Sequence, residues 1–176
     1  MLLAHDSVLR IVSEIKEMNA VFERPEGMGA DWENELKYFL EEVEELEEEG
    51  TLDKSLVGSL DALVDICVFA VGALHKAGHD AESTVAEILK AHVVEIRAIH
   101  TPEHYRNSAA GVLRTVLLTL TTLIGEKRTV ECFHEVYLSN MSKLKDGKPV
   151  PGNLPGKFGK NMETYFKPDL AKYLVK

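Results

Sequence analysis

Apolar residues recur along this chain at intervals of three and four, and no stretch alternates convincingly as a strand would. Six segments carry the pattern. From about Leu3 to Phe22, the residues Val8, Ile11, Val12, Ile15 and Met18 form one stripe, with Pro25 as its stop. From about Asp31 to Glu49, the stripe is Trp32, Leu36, Phe39, Leu40, Val43 and Leu46, closed by Gly50. From about Asp53 to Ala77 the chain is apolar nearly all round, which puts that helix at the centre. A fourth helix is expected from about Asp80 to Ile99, carrying Val85, Ile88, Leu89 and Val93. Thr101-Pro102-Glu103 supplies an N-cap, an N1 proline and an acidic first turn for a fifth helix to Ile124. Gly125 suits its C-cap. The sixth, about Thr129 to Leu144, leads into a tail rich in Gly and Pro from Asp146 to Gly159. The pattern predicts an all-α bundle, one domain over residues 1–176, with an irregular C-terminal tail at about 145–176.

Composition narrows the function. A net charge of −9 argues against a general basic face for nucleic acid. The two cysteines, Cys67 and Cys132, are too few for a disulfide framework or a thiolate zinc site, and read as reduced, buried thiols. Met1-Leu2-Leu3-Ala4 runs directly into His5 and Asp6, which is no export signal. The longest apolar stretch, Val112 to Ile124, is 13 residues and contains Arg114. A membrane span needs about 20, so a soluble cytoplasmic protein is expected.

Two groups of carboxylates stand out. Glu41, Glu42, Glu44, Glu45, Glu47, Glu48 and Glu49 crowd the second helix, and most of such a run is a solvated face. At about 100° per residue, Glu41 and Glu48 project away from the apolar stripe. Glu42 sits on its edge beside Phe39 and Leu46, and Glu45 can reach the same point. In the third helix, Asp61 and Asp65 interrupt an otherwise apolar surface and share one face. Unpaired carboxylates in a core cost several kcal/mol each or take up protons. A Lys or Arg partner is one remedy, but the facing stripe offers only carboxylates. An all-oxygen set without Cys or His suits Mg²⁺ or Mn²⁺ better than zinc.

Other signals are weaker. His100-Thr101-Pro102-Glu103-His104 spells a zinc-peptidase pattern, but Pro102 at a helix start leaves His100 outside the helical face that chemistry needs. No GxxxxGK[ST] phosphate loop occurs. Lys143, Lys145, Lys148, Lys157 and Lys160 nevertheless gather positive charge in an acidic chain, where a polyphosphate would be welcomed. Asn140 shares a face with Phe133, Val136 and Leu144, a position that suits a structural hydrogen bond or a ligand contact equally.

Glu41-Glu42-Val43-Glu44-Glu45-Leu46 matches the EExxEL signature of the all-α nucleoside triphosphate pyrophosphohydrolases, and Asp61-Ala62-Leu63-Val64-Asp65 resembles the second half of their metal motif. That superfamily contains MazG-like proteins, dimeric dUTPases and phosphoribosyl-ATP pyrophosphohydrolase. Asn140-Met141-Ser142-Lys143-Leu144, Asp146-Gly147-Lys148-Pro149, Gly156-Lys157 and Phe166-Lys167-Pro168-Asp169-Leu170 are similar to the ending of its phage and bacterial MazG-like branch. Many relatives place a Glu where this chain has Ala62, and Asp61 stands one position earlier. The stretch at about 81–130 is longer than short relatives have. The resemblance therefore implies a MazG-like bundle with an inserted helical pair, paired as a homodimer or homotetramer. It implies Mg²⁺, with Mn²⁺ able to substitute, on Glu42, Glu45, Asp61 and Asp65, and a proton acceptor at Glu41 or Glu45. Asn140, Lys143, Lys148 and Lys157 would meet the substrate. The implied reaction converts a (deoxy)nucleoside triphosphate to monophosphate and diphosphate, with guanine nucleotides such as dGTP preferred by likeness to MazZ-type (d)GTP diphosphohydrolases. Phosphoribosyl-ATP is the alternative substrate. A non-catalytic helical binding protein, using the acidic helix as a partner surface, is the rival from another class.

Overall fold

A computed structural model of the chain describes residues 3–22, 32–51, 55–152 and 158–174. The helices are α1 (His5–Phe22), α2 (Trp32–Thr51), α3 (Leu56–Lys76), α4 (Ala81–Lys90), α5 (Pro102–Ile124), α6 (Glu126–Met141) and a short α7 (Ala171–Leu174). Among the described residues, extended pairing is limited to isolated bridges, Lys145 with Lys148 and Pro151 with Phe158. The protein is an all-α bundle.

Helix periodicity predicts the core well. Val8, Ile11, Val12, Ile15 and Met18, the whole α1 stripe, are buried. In α2, Phe39 and Val43 are buried while Leu36, Leu40 and Leu46 pack against the core part-exposed. α3 is the central helix, flanked by α2 and α5. Phe39 of α2 stacks on Tyr105 of α5 with ring centroids 4.5 Å apart. α1 lies across α3, α4 and α6.

The start of α3 differs from expectation. It opens at Leu56, where Ser55 accepts the Gly58 amide at 3.0 Å as an N-cap. The proposed stops and starts at Pro25, Asp31 and Asp53 lie outside the described residues.

The fourth helix is shorter than its apolar pattern suggests. α4 ends at Lys90, and only a 3-10 turn at Ile96–Ala98 follows before α5. The reason lies in α5. Thr115 Oγ1 accepts the Val94 amide at 2.8 Å and is 3.0 Å from the Val94 carbonyl oxygen. Gly111, with no side chain, lets this extended segment lie against the helix. Long-range hydrogen bonding therefore replaces the last two turns of the predicted helix, and Val93 is left 62% exposed. Within the segment expected as an inserted pair, α5 forms the most extensive interface of the bundle with α3.

α5 begins and ends as predicted. Thr101 accepts the His104 amide at 3.0 Å, Pro102 follows, and Gly125 closes the helix. Gly125 has φ 82° and ψ 161°, a region open essentially to glycine alone. α6 starts immediately after it, earlier than about Thr129, and ends at Met141 rather than near Leu144.

Among the described residues of the tail, a tight turn and the four-residue α7 punctuate an otherwise irregular path. Asp146 (φ 53°) and Gly147 (φ 73°) form a two-residue turn in which Lys145 and Lys148 exchange backbone hydrogen bonds.

α3 and α5 are long and apolar enough to cross a membrane on length and composition, although no single uninterrupted run suggested it. Half of the apolar window of α3 and 44% of that of α5 is buried inside the bundle.

Candidate metal and phosphate site

The packing of α2 against α3 brings the two carboxylate groups together. Glu42, Asp61 and Asp65 are each part-buried in the bundle, and Glu45 is exposed at its edge. Burial pushes the Glu42 carboxyl up to about 8, and the charges of Asp65, Glu45, Asp61 and Glu41 push the same way. Asp65 is raised to about 7, first by burial, then by Asp61, with Lys143 opposing and Glu45 adding to the rise. Asp61 is raised by burial against the pull of Lys167 and Lys143. These groups feel one another across the helix interface, as the sequence geometry implies for Glu42, Glu45, Asp61 and Asp65. Glu41 lies outward, 3.7 Å from Lys37 on its own helix.

The donor set is all oxygen and crowded with like charge, which suits a hard divalent cation. Among the described residues, however, no three His, Cys, Asp or Glu side chains converge closely enough to hold an ion. The carboxylates are neighbours through their fields, without forming a closed cage.

Positive charge arrives from the end of α6 and from the tail. Lys143 Nζ donates to Asn140 Oδ1 at 2.6 Å, and Asn140 Nδ2 donates to the Val136 carbonyl at 3.0 Å. Asn140 thus serves as a structural clamp that aims Lys143. Burial lowers the Lys143 ammonium while Asp65 and Asp61 draw it upward. The tail is tied over this end of α6. Thr164 Oγ1 donates to the Ser142 carbonyl at 2.8 Å, Ser139 Oγ to the Phe166 carbonyl at 2.8 Å, and Asn161 Nδ2 to the Leu144 carbonyl at 3.0 Å. That path brings Lys167 near Asp61. No periodicity in the sequence singles out Lys167 for a site, although it stands within a motif shared with the family resemblance. Lys148 sits on the exposed hairpin, and Lys157 lies outside the described residues.

His100, Glu103 and His104 are all exposed, with His100 ahead of α5. Cys67 and Cys132 are free and buried, and burial pushes the Cys132 thiol up to about 12. Glu35 pairs with Lys76, and Glu47, one member of the glutamate run, with Arg97, so these two glutamates of α2 brace the bundle. Compared with models of known protein families, with curated proteins and with solved structures, the chain matches none.

Proposed function

We propose that this protein is a magnesium-dependent nucleoside triphosphate pyrophosphohydrolase of the MazG-like kind, acting on (deoxy)nucleoside triphosphates in the cytoplasm. The observation that carries this reading is the juxtaposition of part-buried Glu42, Asp61 and Asp65 with Lys143. Like charges buried together call for a cation, and a lysine beside them suits the phosphates such a cation accompanies. A bare acidic partner surface, the rival reading, gives no reason for aspartates on the central helix.

Glu42, Glu45, Asp61 and Asp65 are the residues that would hold magnesium, or manganese in its place. When bound there the metal supplies Lewis acidity toward water and phosphate. Lys143, steadied by Asn140, neutralises phosphate charge at the same place, and Lys167 approaches from the tail. Glu45 is exposed beside Glu42 and Asp65, so it is better placed than Glu41 to take a proton from attacking water. A dimer or tetramer goes with this reading, and guanine nucleotides, especially dGTP, are the preferred substrates within it.

Incubating the protein with a panel of nucleoside triphosphates and phosphoribosyl-ATP in Mg²⁺ tests the reading. Diphosphate and the monophosphate should appear together and only with metal. Cleavage of phosphoribosyl-ATP alone would shift the assignment to that substrate. No metal-dependent cleavage of any of them would overturn it.

A further inference from the structure

A cleft lies between α1, α6 and the tail, and none of the carboxylates of α2 and α3 lines it. It has a volume of about 670 Å³ and is lined by Arg10, Arg128, His134, Leu138, Phe166 and Tyr173 among others. Arg128, Glu131, His134, Glu135 and Leu138 recur at helical spacing, so α6 gives the cleft one whole face. Leu138 and Phe166 are each 43% exposed, an apolar surface left open on a molecule that buries most of its large side chains.

The charges of this cleft are not evenly matched. Glu131 is 3.8 Å from Lys127, and Glu135 pairs with Lys172. Glu14 Oε1 takes both Arg10 Nε, at 3.1 Å, and His134 Nδ1, at 2.9 Å. Each carboxylate therefore has a cationic or imidazole neighbour. Arg128 makes only a long 3.4 Å contact with the Tyr173 carbonyl, and among the described residues no carboxylate lies within ion-pair distance of it. A carboxylate can only accept, so His134 donates its Nδ1 proton to Glu14 and turns its Nε2 edge elsewhere. His134 is 39% exposed and lines the cleft.

We propose that this cleft is a binding site for a small organic oxyanion, an aryl phosphate or carboxylate. The oxyanion pairs with the guanidinium of Arg128, whose planar fork suits both groups. Arg10 supplies further donors, and His134 lines the same wall. The flat apolar body lies on Phe166 and Leu138. Nothing in this depends on the carboxylate site or on metal.

The test uses the intact chain without added metal and three probes: phenyl phosphate, benzoate and inorganic phosphate. Titrations are followed by calorimetry and by the ring resonances of His134. Saturable binding of phenyl phosphate or benzoate with one ligand per chain is expected, and the tighter of the two identifies the oxyanion. Arg128→Gln should weaken that binding about tenfold or more. Phe166→Ala should weaken the aryl ligand while leaving inorganic phosphate unchanged. Melting curves establish that both variants remain folded, and Arg128→Lys, which keeps the charge, should fall between wild type and Arg128→Gln. Absence of saturation with either aryl probe overturns the proposal. So does binding that survives Arg128→Gln but is lost in Lys143→Ala, since the ligand would then sit among the carboxylates.

Discussion

Tyr173 and Glu135, 38 residues apart, meet through a hydrogen bond of 2.6 Å from the phenol to Oε2. The same carboxylate accepts the Asp169 amide at 2.6 Å and pairs with Lys172. Glu135 is thus the hasp that holds the end of the tail on α6. Glu135→Ala should cost about 1–3 kcal/mol in denaturant unfolding, and Tyr173→Phe about 1 kcal/mol. Burial alone would raise the Glu135 carboxyl, but Lys172, Tyr173 and the Asp169 amide together hold it below the ordinary range. Its contribution is therefore present above the unfolded value of about 4.3 and is lost as pH falls through the lower folded value. Amide exchange should show the 165–174 segment loosening across that interval. An acid-insensitive tail would contradict the assignment.

The carboxylates of α2 and α3 give the opposite slope. Glu42 at about 8 and Asp65 at about 7 hold protons more tightly in the folded chain than in the unfolded one. The folded state then binds more protons between an unfolded carboxyl near 4 and these values, so stability falls as pH rises through that window. The metal-free protein should melt lower at about pH 8 than at about pH 5, and Mg²⁺ should raise the melting temperature most at the higher pH. Asp65→Asn removes one charge and little volume. It should flatten the pH dependence, blunt the Mg²⁺ effect and abolish turnover while the protein stays folded. Full activity in that variant would remove Asp65 from the metal site.

Lys143 tests the phosphate side. Losing one charge-assisted contact costs about 1.5–3 kcal/mol, so Lys143→Ala should lower kcat/KM about ten- to a hundredfold. Metal binding by the free protein should change little. Asn140→Ala should produce a smaller loss of the same kind, because it frees the lysine without removing it. Wild-type kinetics in Lys143→Ala would reduce the lysine to a solvating charge.

Gly111 is a packing test away from any chemistry. A Cβ there would collide with Val94 Cγ2 and lie 2.9 Å from the His92 carbonyl oxygen. Backbone cannot swing aside as a side chain can, so Gly111→Ala should destabilise by about 1–3 kcal/mol in urea unfolding. Adding Val94→Ala removes one of the two collisions, and should restore part of the loss.

What could be read from the chain divides by range. The α1 stripe and the caps of α5 follow from residues a few positions apart, and Val8 to Met18, Thr101, Pro102 and Gly125 are found in the expected roles. The approach of Glu42 to Asp61 and Asp65 is legible too, because two amphipathic stripes can face each other in only a few ways. The end of α4 is not, since Thr115 and Gly111, some 20 residues onward, draw the chain out of its helix. Asp146-Gly147 is a local turn signal that a reading for helices alone passes over. Lys167 and Glu135 join sites through the path of the tail, and neither helical nor strand periodicity encodes such a path. The cleft at Arg128 is assembled from three separate segments and has no contiguous signature.

Gly125 ends α5 and also precedes the first residue of α6, so the elbow between them is one residue long. A joint that short has no slack. α6 spans 16 residues, a lever of about 24 Å at 1.5 Å per residue. Swinging it by about 10° would carry its far end, and Lys143 with it, about 4 Å, further than a hydrogen bond can follow. The aim of Lys143 therefore depends on the elbow at the opposite end of the lever as well as on Asn140 and on the packing of α1 against α6. A side chain at position 125 would disturb the proposed phosphate site without coming anywhere near it.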